Sequence, residues 1–249
     1  MDYREHQPDP ALRSAVKCYW TLAGSGDAEA WIAHEAVPDG CVEIIRRLSG
    51  RSLGDTEQPE LFVAGVADRP ATFRISGDSS FAAIRLWPWA WPELTEAPLA
   101  SLWDRWAAID DPVLARLGGL LPDFAEVDRW LAERLGGAHF PLGEAVLRST
   151  TVAEIRARSK VAPRTLQRWF ARNVGMAPSR YLRILRFHRA FESIPAEESL
   201  ADQAASHGFA DQAHMAREFR ALAGTPAGEA RRRARGPFLA EAQLGLRKR

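Results

Sequence analysis

The chain has 249 residues, 46% hydrophobic and 26% charged, enough for two globular domains of ordinary composition. No apolar run approaches the roughly 18 residues of a membrane span. The polar start Met1-Asp2-Tyr3-Arg4-Glu5 is no secretory signal, and two cysteines, Cys18 and Cys41, are too few for a disulfide framework or a four-cysteine zinc site. The expectation is a cytoplasmic protein with buried, free thiols and no membrane contact.

The net charge of +1 conceals a segregation. Residues 1–139 carry 13 Arg/Lys against 22 Asp/Glu, residues 140–235 carry 17 against 9, and residues 236–249 carry 3 against 1. An arginine-rich coding bias explains why lysine occurs only at Lys17, Lys160 and Lys248. It does not explain why the basic residues gather in the second half, which points to a polyanionic partner there.

In chain order, residues 8–15 read as a short helix with Pro10 in its first turn, and residues 16–22 and 31–37 read as strands. Pro38-Asp39-Gly40 makes a tight turn into a strand over 41–45, and residues 50–59 form a loop. Residues 61–67, 71–76 and 80–86 are further short strands, a density that predicts a small barrel or sandwich. The prolines of Trp87-Pro88-Trp89-Ala90-Trp91-Pro92 exclude a regular helix. Residues 99–109, 112–120 and 123–135 then read as helical, and Gly136-Gly137-Ala138 as a domain boundary.

Two helix-turn-helix patterns follow. Thr151-Val152-Ala153-Glu154 fits a capping box, Lys160-Val161-Ala162 is a turn, and Pro163 suits the first residue of the next helix. At about 100° per residue, Leu166, Trp169 and Phe170 form the inner stripe of that helix, with Arg164, Gln167, Arg168, Ala171 and Arg172 opposite. Arg bonds guanine and Gln bonds adenine through paired hydrogen bonds in the major groove, so this face suits base reading. A solvated basic face is the bland alternative. Ser199-Leu200-Ala201-Asp202 repeats the capping signature, Gly208 suits a left-handed turn, and Asp211 can cap the second unit's reading helix. There Met215, Phe219 and Leu222 point inward, while Ala213, Ala216, Arg217 and Arg220 point out and Gln212 and His214 sit at the amino end. A helix over 178–193 joins the units, with Tyr181, Ile184, Leu185, Phe187 and Phe191 on one side and Arg183, Arg186 and Arg189 on the other.

These residues resemble the DNA-binding domain of the AraC/XylS family of bacterial transcription regulators. The resemblance rests on Pro163 to Arg168, Tyr181-Leu182-Arg183, Leu185-Arg186-Phe187, Gly208 to Gln212, Arg217 to Arg220 and Gly224-Thr225-Pro226. It implies base contacts by Arg164, Thr165, Gln167, Arg168 and Arg172 in the first unit and by Gln212, Ala213 and Arg217 in the second. Phosphate contacts are expected from Thr151, Arg183, Arg186, His214 and Arg220. Lys160 stands where the family usually has Gly, Ala162 where it usually has a capping Ser, Met215 for a usual Phe and Ala230 for a late aromatic.

The first half resembles the amino-terminal domain of an AraC-type subgroup through Trp20, the Pro38 to Ile44 turn-and-strand, and Ala83 to Pro88. The resemblance implies an α+β chain. A small cupin-like β-barrel domain with helices (residues 1–137) would sense an effector or mediate dimerisation, followed by an all-α DNA-binding domain (138–235) and a basic tail (236–249). Ligand candidates are Trp20, Trp31, Glu43, Arg85 and Trp87, though the tryptophans serve equally as barrel core. The implied partners are double-stranded DNA, a small-molecule effector, a second copy of the chain and, for an activator, RNA polymerase. The alternative is an effector-independent regulator whose first half is only a dimerisation or partner module. No cofactor, metal site or catalytic group is expected. His34-Glu35 lacks companion histidines for a metal, and the chain has no Gly-rich phosphate loop or Gly-x-Ser-x-Gly elbow.

Overall fold

The computed structural model describes residues 1–193, 199–235 and 238–240, and the basic tail otherwise lies outside the described residues. The first half is built from β1 (Asp2–His6), β2 (Val16–Ala23), β3 (Trp31–Ala36), β4 (Val42–Ser49), β5 (Ser52–Leu53) and β6 (Leu61–Ala64). It continues with β7 (Ala71–Ser76), β8 (Ser80–Leu86), α1 (Trp91–Leu94), β9 (Trp106–Ala108), α2 (Pro112–Gly119) and α3 (Phe124–Leu135). The second half comprises α4 (Pro141–Leu147), α5 (Val152–Ser159), α6 (Pro163–Asn173), α7 (Pro178–Ser193), α8 (Leu200–Ser206), α9 (Gln212–Ala223) and α10 (Ala227–Arg233). Two short strands, β10 (Ala234–Arg235) and β11 (Phe238–Ala240), follow.

The strands form two sheets, ordered β1-β2-β8-β4-β6-β9 and β10-β11-β3-β7-β5. No ladder joins one sheet to the other among the described residues, so the expected barrel is an open, two-sheet arrangement. Period-two alternation sorts the first sheet's side chains. Tyr19, Val42, Ile44, Val63, Ile84 and Leu86 pack beneath the helices, while Trp20, Leu22, Ile45, Phe62, Phe81 and Ala83 form a separate cluster on the inter-sheet face.

Five segments differ from expectation. The loop expected over 50–59 includes β5, which pairs with β7. The chain start, where the sequence predicts no element, is β1, paired with β2. The helix expected over 8–15 is only a 3-10 turn, Pro10–Leu12. The helix expected over 99–109 divides into a 3-10 turn, Leu99–Leu102, and β9, because Asp104 takes a left-handed φ of 52° and Trp106–Ala108 pairs with β6. Pro88 and Pro92 end no helix; they sit in the first turns of a 3-10 helix (Pro88–Ala90) and of α1, where a missing N–H costs nothing.

The caps form largely as expected. Thr151 accepts the Glu154 amide at 3.2 Å, although Glu154 reaches back to the Thr150 amide, at 2.9 Å, rather than to that of Thr151. Ser199 and Asp211 cap α8 and α9, accepting the amides of Asp202 and His214. The turn of the first unit is the weak point. Lys160 is held at φ 55°, and Ala162 at the start of α6 offers no capping oxygen. Ala162→Ser should therefore stabilise the protein by about 1 kcal/mol, and Lys160→Gly by up to about 1 kcal/mol, because a side chain strains the left-handed region. Urea denaturation checks both; a loss of stability in either variant contradicts the account of this turn.

The first unit has no core of its own. Ile155, Leu166, Phe170, Val174 and Met176 belong to the same buried cluster as Val42, Ile84, Trp89 and Leu131 of the first half. The second unit has a separate core in which Phe187 and Phe191 of α7 meet Phe209, Met215, Phe219 and Leu222. The helix α7 thus belongs to both cores and is pinned to the first half along its length. The Tyr181 hydroxyl donates to the Gly40 carbonyl at 2.8 Å, and Arg180 pairs with Asp68 and lies 3.9 Å over the Trp103 ring. Lys17 meets His188 at 2.5 Å and Glu192 at 3.2 Å. Gly40 has a φ of 78°, and a Cβ there would stand 3.0 Å from Leu185 and 3.2 Å from Tyr181, so the turn needs glycine for conformation and approach alike.

Candidate nucleic-acid interface and inter-sheet cavity

The amphipathic pattern of α6 sorts as its sequence demands. Leu166 and Phe170 are buried, and the half-buried Trp169 rests on Trp89 with ring centres 6.0 Å apart. Arg164, Thr165, Gln167, Arg168, Ala171 and Arg172 are all exposed. In α9, Met215, Phe219 and Leu222 are buried, whereas Gln212, Ala213, Arg217 and Arg220 are exposed. Each helix therefore rests on an apolar stripe and turns long polar groups to solvent, the geometry that base-edge readout needs.

The residues expected at phosphates divide. Thr151, Arg183, Arg186 and His214 line one groove of about 640 Å³ between the two units, together with Asp68, Arg180 and Glu218. Within it Arg183 donates to Glu218 at 2.5 Å, the Arg186 guanidinium lies 5.1 Å from the Phe209 ring centre, and His214 accepts the Ala210 amide at 3.2 Å. Arg183 and Arg186 thus tie α7 to the second unit as well as lining the groove. Arg220 is exposed. Arg189, which the sequence puts with the outward arginines, instead donates to the carbonyls of Leu147 and Ser149 at the end of α4.

A second concavity, of about 490 Å³, lies between the sheets of the first half. Trp20 and Glu43 line it, as do Phe62, Phe73, Phe81 and Trp106, which are absent from the sequence-based candidates. For Phe62 and Phe81 the signal is present in the alternation of β6 and β8, whereas Trp106 lies in a segment that reads as helical. Trp31 lies elsewhere: it is 39% exposed and sits under the guanidinium groups of Arg51 and Arg74. Trp87 stacks on Trp89, 5.6 Å away, where the halves meet.

Arg85 is buried and does not line the cavity, but it stands opposite both Cys18 and Glu43 in the sheet register, on the same face of the sheet as Glu43. Its Nε lies 2.5 Å from Glu43 and 2.8 Å from Asp39, and its Nη1 3.2 Å from Glu5. Burial tends to raise both inner carboxyls, yet Arg85 and Lys17 pull Asp39 below the ordinary value. For Glu43 burial prevails over Arg85, and its carboxyl is held above the ordinary value. Burial lowers His34 to about 4. Among the described residues no group of three or more His, Cys, Asp and Glu side chains could hold a metal, and no helix is long and apolar enough to cross a membrane.

A family model described as a helix-turn-helix domain matches residues 156–233, from within α5 to the end of α10. The chain carries a helix-turn-helix domain over these residues. A second model, described as a domain of unknown function (DUF6597), matches residues 4–107, which run from within β1 to within β9. A search of curated proteins by sequence gave no match. Among solved structures, ToxT from Vibrio cholerae O395 is 11% identical, with 85% of this chain and 96% of that chain covered and a TM-score of 0.44. An unsaturated fatty acid-bound wild-type ToxT from Vibrio cholerae strain SCE256 is 11% identical over 85% and 92% at a TM-score of 0.42. The AraC-like transcriptional activator CuxR is 14% identical over 93% and 84% at 0.24. The helix-turn-helix assignment agrees with the chain's own caps, turns and exposed faces.

Proposed function

We propose that this chain is a sequence-specific transcription regulator that grips duplex DNA with both helix-turn-helix units and responds to a small effector held between the sheets of its first half. Residues 138–235 are the DNA-binding part and residues 1–137 the sensor. The observation that carries the reading is the pair of exposed faces, Arg164/Gln167/Arg168/Arg172 on α6 and Gln212/Ala213/Arg217 on α9, each backed by a buried stripe packed on α7. Selection from random duplex DNA with the whole chain should yield one preferred site. Affinity for it should fall with salt on a log–log slope of about −0.9 per phosphate contacted. Folded protein that shows no salt-sensitive duplex binding refutes the proposal.

The effector part rests on the cavity. A thermal-shift screen of small metabolites should find a saturable stabiliser, since a ligand that binds only the folded state raises stability by mass action. A screen with no stabiliser, alongside intact DNA binding, favours the alternative of a dimerisation or partner module.

A further inference from the structure

The walls of the inter-sheet cavity are apolar and aromatic, from Trp20, Ile45, Phe62, Phe73, Phe81 and Trp106. Against them stands Glu43, whose side chain is 16% exposed, while the similarly covered Asp104 is paired with Arg69. The counter-ion of Glu43, Arg85, is shared with Asp39 and Glu5, so one guanidinium faces three carboxylates. Of the three, only Glu43 lines the cavity. Lys17, which acts on Asp39, is engaged with Glu192 and His188 on α7. The polar rim adds no net charge, because Arg69 and Arg105 are offset by Asp55 and Asp104, and Arg69 lies 3.4 Å from Asp104. The cavity wall therefore holds a carboxylate that shares its one cation with two others and is otherwise bonded by Trp20. Burying such a charge is costly unless a further donor or positive charge is supplied.

From this geometry we infer that the cavity takes a small amphipathic molecule with an aromatic or branched apolar body and a cationic amine directed at Glu43. An acid of the same shape would bring a second negative charge against Glu43, and Arg85, buried and already facing three carboxylates, does not line the cavity. The aromatic walls add cation–π attraction for the same ligand class. The inference rests on reading the cavity as the effector site and goes further by giving the ligand's charge.

The test is isothermal titration of the whole protein with three probes that share one ring system: tryptamine, neutral propylindole and indolepropionate. Tryptamine should bind at least about tenfold more tightly than indolepropionate, because the amine forms a charge-assisted hydrogen bond where the acid meets a like charge. Glu43→Gln should remove that preference and leave propylindole affinity unchanged. Should Glu43→Gln fail to fold, the ranking on the wild-type protein decides alone. Ala64→Trp, which fills the chamber, should abolish binding of all three. If propylindole or indolepropionate binds as tightly as tryptamine, the amine assignment is overturned while the cavity remains a binding site. If none of the probes binds, or binding survives Ala64→Trp, both readings fall.

Discussion

Replacing Trp89 with alanine should cost about 3–5 kcal/mol of folding stability and carry DNA binding down with it. Trp89 is 1% exposed, and its indole N–H donates to the Ser14 carbonyl at 2.7 Å. Its ring meets those of Trp87, Trp169 and Tyr181 at 5.6, 6.0 and 6.4 Å. A Cβ on Gly143 would stand 2.4 Å from the ring, so the α4 backbone lies directly against it. One side chain of the first half therefore seats α4, α6 and α7 together. Truncation opens a large cavity, leaves the Ser14 carbonyl without its donor and removes the support of Trp169 beneath the reading face. Trp89→Phe, which keeps most of the volume, should lose less. Urea denaturation measures the difference; a loss below about 1 kcal/mol for the alanine variant would mean that the halves do not depend on this contact.

Arg168→Ala and Gln167→Ala should each weaken the best DNA site by about 1–3 kcal/mol and relax the preference at one base pair. Both side chains are exposed on α6, with Leu166 and Phe170 buried behind them, so truncation should leave the fold intact. Arg220→Ala supplies the contrast. It is exposed near the end of α9, and as a phosphate contact it should weaken specific and random DNA about equally. Competition binding on a selected site and on scrambled duplex separates the two behaviours. Equal losses on both DNAs for Arg168→Ala and Gln167→Ala would remove these residues from the set of base readers.

The helix-turn-helix units are legible in the sequence because their signals are local. A cap at Thr151, Ser199 or Asp211 and a stripe such as Leu166, Trp169 and Phe170 are fixed within one or two helical turns. Sheet pairing is less legible. Nothing near Asp2–His6 announces a strand until β2 is present beside it, and Trp106–Ala108 reads as helix until β6 offers its edge. Of the ligand candidates, Trp20 and Glu43 line the cavity, while Trp31 and Trp87 lie elsewhere, because tryptophan chemistry does not say which face of a sheet a residue occupies. Arg183 and Arg189 look like free basic groups on a helical wheel. Glu218 and the end of α4, which engage them, are distant in sequence. The core shared by the first unit and the first half is likewise invisible in the sequence, since Trp89 and Trp169 meet only in the folded chain.

The central claim, that both units read DNA together, is tested most directly by hydroxyl-radical footprinting on a selected site. A protomer should protect two major-groove segments on one face of the duplex, about one helical turn or 10–10.5 base pairs apart. The segments should differ in sequence because the faces of α6 and α9 differ. Inserting about five base pairs, half a helical turn, between the segments should abolish the second protection and leave the one under α6. A single protected segment that the insertion does not alter would contradict the account and leave α9 a structural helix only.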